Sequence, residues 1–330
     1  MNCKNIIVGF LLGITTLTFG QTKQDIYCNP NITWAGEVDI DIIVNADSTI
    51  NWKAYRISHL DSFFKQKIKP LQSQEKTLNE LIMSEIETIQ FYEYDSLKYK
   101  KEFASLNLTD PLYEPENYGD QGGRLPADAF NVIRLRAYIY YDISKIGFSI
   151  EPKAIAVLRP LYDMPSEILG YDVLGWLPVD KLQKALSATK IDFRAVISRD
   201  ISFEQIRIFK QEWTKDKVME LFIAKVRKQA ATIEIFEENW DGELEKMTEN
   251  AIQKVGTDEL MVMRFDEFDP KEQFVPWAGS LYSGLKFKMN WYWDDEQFHI
   301  QPLFFAPLYP VENDSDVIGF QTVFYKSMKE

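Results

Sequence analysis

The chain has 330 residues, 14% of them aromatic, and a formal net charge of −13 at pH 7. Its 50 acidic residues against 37 basic ones argue against nucleic acid and against anionic membrane surfaces as partners. The length suffices for two modest domains.

In chain order, residues 1–20 read as an export leader: Lys4 is the positive end, Ile6 to Leu17 the apolar run, and Thr18-Phe19-Gly20 a small-residue cleavage site before Gln21. The apolar run is too short to span a bilayer, and no other segment approaches transmembrane length. The chain is therefore expected to be exported and soluble, with secretion kept open. Cys28 would then be the only mature cysteine, and a free thiol is expected there.

Ile32-Thr33-Trp34 and Val38 to Val44 read as short strands, closed by the turn-prone Asn45 to Ser48. A helix is expected from Leu78, with Thr77 and Glu80 as a capping box and Leu78, Leu81, Ile82 and Ile86 on one face. Thr88 to Glu93 is an extended segment, and Asp110 to Gly123 a Pro- and Gly-rich loop. Next, Ile133, Leu135, Ala137, Ile139 and Tyr141 alternate with Arg134, Arg136, Tyr138 and Tyr140. The chain turns at Asp142 to Gly147 and returns through Phe148, Ile150 and Pro152, a β-hairpin with one apolar face.

The second half repeats this order. Ser202 and Gln205 offer a capping box after a seam at 180–200, and a helix carries Val218, Leu221, Phe222 and Val226 on one face. Thr232 to Glu237 is extended. Leu285, Phe287, Met289, Trp291 and Trp293 then alternate with Lys286, Lys288, Asn290 and Tyr292, turn at Asp294 to Gln297, and return through Phe298, Ile300 and Pro302. The outgoing strands align at an offset of 152 and the returning ones at 150; a difference of two preserves which face points in. Both hairpins are followed by Pro-Leu-Tyr (Pro160 to Tyr162, Pro307 to Tyr309) and by a Gly-aromatic pair (Gly170-Tyr171, Gly319-Phe320). The expected fold is α+β in two tandem related units, each a helix on an antiparallel sheet with an aromatic hairpin. The division is 1–20 leader, 21–190 first unit and 191–330 second unit, an internal repeat.

Catalytic chemistry has few candidates. His59 and His299 are the only histidines, and His299 falls on the polar face of its strand with no marked partner. Asp39 with Asp41, Asp294 to Glu296, and Glu312 with Asp314 and Asp316 read as solvated acidic patches, since none has the Gly and spaced oxygens of a calcium loop. No phosphate loop or nucleophile elbow is present. No catalytic, cofactor-binding or metal-ligating residue is assigned. Abundant carboxylates and tryptophans leave a carbohydrate-binding or glycoside-acting protein as the alternative.

Lys286 to Asp294 with its return through Phe298 to Pro307, and Ile133 to Asp142 with its return through Ile155 to Val157, resemble the central strand pair of the GldN/PorN family. Ile86 to Asp95 is similar to the helix end and acidic, Tyr-containing segment of that family. The resemblance implies a non-enzymatic periplasmic protein of gliding motility and type IX secretion in Bacteroidota. Its implied partners are envelope proteins, such as a ring lipoprotein or a motor shaft component. One departure is that the family carries one such hairpin per chain and this chain two. Partner binding is assigned to the outward faces of the hairpins, through Arg134, Arg136, Tyr138, Tyr140, Lys286, Lys288 and Tyr292, because Arg and Tyr are enriched where interfaces form. A homo-oligomer is compatible with this reading.

Overall fold

A computed structural model describes residues 22–43, 91–93, 100–101, 132–164, 167–181, 194–262, 271–293, 298–313 and 316–328. The leader, the expected helix at Leu78, the loop from Asp110, His59 and the turn at Asp294 lie outside these residues.

The described fold is mostly antiparallel β-sheet with few helices, so the antiparallel sheets of the expected α+β fold are present and helix is sparse among the described residues. The first sheet contains β1 (Ile32–Ile43), β2 (Phe91–Tyr92), β3 (Lys100–Lys101), β4 (Val132–Asp142), β5 (Gly147–Met164) and β6 (Glu167–Pro178). The second contains β7 (Arg194–Ser202), β9 (Ile235–Glu238), β10 (Leu244–Lys246), β13 (Gly284–Trp293), β14 (Phe298–Asn313), β15 (Asp316–Thr322) and β16 (Tyr325–Ser327). Strand order in the first sheet is β3-β2-β6-β5-β4-β1, and in the second β10-β9-β16-β14-β13-β7, with β15 also on β14. The strand β8 (Arg207–Gln211) adds to the outer edge of β1, so the second half of the chain completes the first sheet. The strands β11 (Thr257–Val262) and β12 (Lys271–Pro276) form a separate ribbon.

Both hairpins form as the alternation requires. Ile133, Leu135, Ala137, Ile139 and Tyr141 are all buried, as are Leu285, Phe287, Met289 and Trp291; the Trp293 side chain lies outside the description. The segments at Ile32 and Val38 join into one strand, because β4 pairs along nearly all of it from Ile32 to Ile43. The hairpins also share their irregularities. Arg136 pairs with Ala154 and Ala137 with Pro152, so Lys153 is bulged out; Lys288 pairs with Phe304 and Met289 with Pro302, so Leu303 is bulged out. A proline has no N–H to give the ladder, and a bulge is where a sheet interior tolerates one.

The helix α1 (Lys23–Cys28) is closed by a capping box between Thr22 and Asp25. Helix α2 (Lys215–Lys228) is capped by Thr214, whose hydroxyl accepts from the Lys217 N–H. A shorter helix, α3, spans Glu249–Lys254. On α2, Val218, Phe222 and Val226 are buried with Met219 and Ile223, but Leu221 is 40% exposed and not on the packed face. Phe222 touches Phe148 of the first sheet (ring centroids 5.8 Å apart) and Phe305 of the second (5.4 Å), and Phe148 meets Phe305 at 5.8 Å. The helix packs on both sheets rather than on its own unit's sheet alone, and one apolar cluster runs through both. Among the described residues no helix is long and apolar enough to cross a membrane.

Candidate functional site: sheet faces and hairpin tips

The outward faces of the hairpins do not lie open. On the first sheet, Arg136 is buried and holds Asp39 by two hydrogen bonds, Nε–Oδ1 at 2.7 Å and Nη2–Oδ2 at 2.8 Å. The paired fork fixes both side chains in one plane. Arg207 of β8 bridges Glu37 and Asp39 at 2.7 and 3.2 Å, and Arg134 grips Asp41 at 2.7 and 2.9 Å. Burial alone pushes the Asp39 carboxyl up, yet the hydrogen bonds and charges of Arg136 and Arg207 outweigh it and hold Asp39 below its usual range. Asp39 is largely covered while Asp41 stays exposed, and both are cross-strand partners of the arginines that face them on β4.

Tyr138 and Tyr140 are half-buried beneath α1. Ile26 of α1 is fully buried in a cluster with Ile32, Ala35, Tyr138, Tyr140 and Phe209. Tyr138 meets Phe209 edge-on at 5.5 Å, and Lys153 and Lys23 lie 5.0 and 4.7 Å from the Tyr138 and Phe209 rings. The chain's own N-terminal helix occupies the surface expected to take a partner. Cys28, which ends this helix, is disulfide-bonded and not the free thiol expected.

On the second sheet Lys288 is 1% exposed. Its ammonium bonds Glu238 at 2.8 Å and lies 4.3 Å from the Tyr325 ring centre, and the Tyr325 hydroxyl donates to the same carboxylate at 2.6 Å. Burial pushes the Lys288 amine down, while these two donors hold Glu238 below its ordinary value against its own burial. The expectation that Lys288 faces solvent is wrong because other strands of the same sheet enclose it: Phe236, Leu244, Phe304 and Tyr325 form a second apolar cluster on β9, β10, β14 and β16, and Tyr325 and Glu238 contact its ammonium. Asn290 is also fully buried, whereas Lys286 stays partly exposed and pairs with Asp200 at 3.3 Å. Tyr292 is half-buried and stacks on His299, with 4.8 Å between centroids and 19° between planes, so His299 is held by a ring contact.

The two sheets place like groups at like positions. Arg134–Asp41 and Lys286–Asp200 are cross-strand pairs in matching registers, and Arg136 lies 4.0 Å from the Trp176 ring centre where Lys288 covers Tyr325.

Some of the exposed apolar side chains sit near hairpin ends, whereas Tyr27, Ile208, Leu221 and Leu281 lie on helices, on β8 and on a 3-10 turn. Ile168 and Leu169 are 41% and 73% exposed where β5 turns into β6; Val317 is 55% exposed where β14 turns into β15, and Phe320, 47% exposed, lies further along β15 opposite Pro310. Both turns carry a bulge at the same point: Leu161 pairs Gly170 and Tyr162 pairs Ile168, while Val311 pairs Gly319 and Glu312 pairs Val317. A third tip, between β9 and β10, carries Trp240 fully exposed. These positions escaped the sequence reading because alternation reports faces along a strand, not which strand ends project. Among the described residues no group of three His, Cys, Asp or Glu side chains is placed to hold a metal ion. No protein-family model and no curated protein matches the chain.

Proposed function

We propose that this chain is a non-enzymatic scaffold of the bacterial envelope, related to the gliding-motility and type IX secretion proteins its hairpins resemble, and that it works through protein contacts at the ends of its hairpins. We further propose that its two sheets descend from one duplicated unit. The duplication is supported by the common strand order, by the bulges opposite Pro152 and Pro302, and by the cation over an aromatic ring at Arg136–Trp176 and at Lys288–Tyr325.

The observation that carries the functional reading is the division of side chains between faces and tips. The charges on the sheet faces are engaged in internal ion pairs, while Ile168, Leu169 and Val317 are presented to solvent at corresponding bulged turns and Phe320 is exposed further along β15. Apolar groups held out at rigid turns are suited to docking. This moves the contact surface from the seven residues of the hairpin faces to the turn residues. Affinity purification from envelope extract tests it. A stoichiometric envelope protein is expected with the wild-type chain and is lost with Leu169→Ser plus Phe320→Ser. Equal recovery with that variant, or retention of oligosaccharide in place of protein, would overturn the reading.

A further inference from the structure

Trp240 is 105% exposed, an extreme position for the largest apolar side chain. It is not on a loose loop. Asn239 donates its N–H to the Glu243 carbonyl at 2.9 Å, and its side-chain oxygen accepts from the N–H groups of Asp241 and Glu243 at 3.0 and 2.9 Å. Gly242 takes the left-handed conformation (φ 78°) that closes the turn. The indole is thus presented by a fixed turn, flanked by the exposed carboxylates of Glu237, Asp241, Glu243 and Glu245.

A cavity of about 370 Å³ lies elsewhere on the same molecule, walled by Ile146 and Ile233 and bordered by Lys145, Gln229, Thr232 and Lys326. Lys326 is the unusual member. Its ammonium makes one long hydrogen bond, 3.4 Å to the Ser327 carbonyl, lies 6.0 Å from the Phe305 ring centre, and has no carboxylate paired with it among the described residues. Burial pushes this amine below its ordinary value. The one acid on the rim, Glu234, is held by Lys246 at 2.7 Å. Beside the cavity the last turn of α2 adds Lys225, Arg227 and Lys228. The cavity is mainly polar and offers two isoleucine contacts, a partly desolvated cation, a carbonyl for an indole N–H, and a basic surround.

We propose that Trp240 of one copy of this chain enters the Lys326 cavity of a second copy, and that the exchange is reciprocal. The acidic turn around the anchor matches the basic surround of the cavity in sign. Anchor and cavity lie at opposite ends of one short strand, since Glu234 borders the cavity and Trp240 follows β9. A tip held straight by its own hydrogen bonds cannot fold back onto its own base. Two copies facing each other exchange tips across a twofold axis, which closes the assembly at a dimer.

Sedimentation equilibrium on the full chain tests this. The wild type is expected to be a dimer whose dissociation constant rises with salt, because oppositely charged surfaces are screened. Trp240→Ser should raise that constant at least tenfold with an unchanged melting curve, since the side chain touches nothing in the monomer. Lys326→Met removes the cation but also the cost of burying it. It should therefore weaken the dimer while leaving the monomer as stable or more so, which separates loss of docking from loss of fold. A wild type that stays monomeric at the highest concentration reached, or a dimer undiminished by Trp240→Ser, overturns the proposal. Failure here leaves the envelope contacts of the other turns standing, because those are read from partner recovery and involve different residues.

Discussion

Lys288 Nζ lies 2.8 Å from one oxygen of Glu238, and the Tyr325 hydroxyl donates to the other at 2.6 Å. The buried ammonium and phenol close on a carboxylate that is itself partly exposed, on a face otherwise lined by Phe236, Phe304 and Leu244. Removing one member of such a set strands the others, and reversing the charge is worse. Lys288→Glu should cost roughly 3–5 kcal/mol, read as a lower urea midpoint. Lys286→Glu, at a partly exposed pair, should cost at most about 1 kcal/mol. Equal losses at the two positions would show that Lys288 is not buried as described.

Gly284 and Gly319 form a matched test of close approach. A Cβ on Gly284 would collide with the backbone carbonyl of Ile201 on the neighbouring strand, which has no rotamer by which to give way, whereas a Cβ on Gly319 meets nothing within 4 Å. Gly284→Ala is expected to destabilise by about 1–3 kcal/mol. Gly319→Ala should be neutral within about 0.5 kcal/mol. Thermal melts of the two variants side by side check both.

Acid should attack the charged faces first. Asp39 and Glu238 are held below their unfolded values, so the stability they contribute is complete above the unfolded carboxylate pKa and is lost as pH falls through the folded one. Urea midpoints should hold steady above about pH 5 and drop below about pH 4. In Asp39→Asn the midpoint starts lower at neutral pH, and the drop is shallower. An acid limb as steep as the wild type's would remove Asp39 from this account.

Unfolding should be one event. The core joins the sheets through Phe148, Phe222 and Phe305, and β8 from the second half pairs with β1 of the first. Calorimetry is expected to give a single transition coincident with loss of tryptophan signal. Residues 191–330 expressed alone should melt well below the full chain. Two separated transitions, or a stable second half, would support independent units cut at 180–200.

The hairpins were readable because alternation is a local property: Ile133 to Tyr141 and Leu285 to Trp291 settle which residues point inward, and the spacing of Pro152 and Pro302 marks matching bulges. What alternation cannot report is whether the other face is covered. Arg136 and Lys288 sit at polar positions and are buried all the same, because Asp39 and Glu238, with aromatic rings of other strands of the same sheets, reach them from distant segments; Asn290 is buried as well. The placement of α1 over Tyr138 and Tyr140 was invisible for the same reason, as was the crossing of β8: both are decided by contacts far apart in sequence. The exposed tip of Trp240 had a sequence signal that went unused, since Asn-Trp-Asp-Gly is a turn and a turn gives a tryptophan no face to pack on.

The strand β8 imposes an order on the chain's assembly. Arg207 reaches Glu37 across 170 residues of sequence, so the edge of β1 stays bare until most of the polypeptide has been made. Throughout that interval a long strand flanked by β-branched residues can pair with any other edge nearby, including the β1 of a neighbouring nascent chain. A holding factor that shields this edge would raise the folded yield most, and its benefit should vanish once residue 211 is available. Adding a synthetic 203–213 peptide to the truncated first half would take the place of that factor, so that recovery of soluble protein dates the moment the first sheet closes.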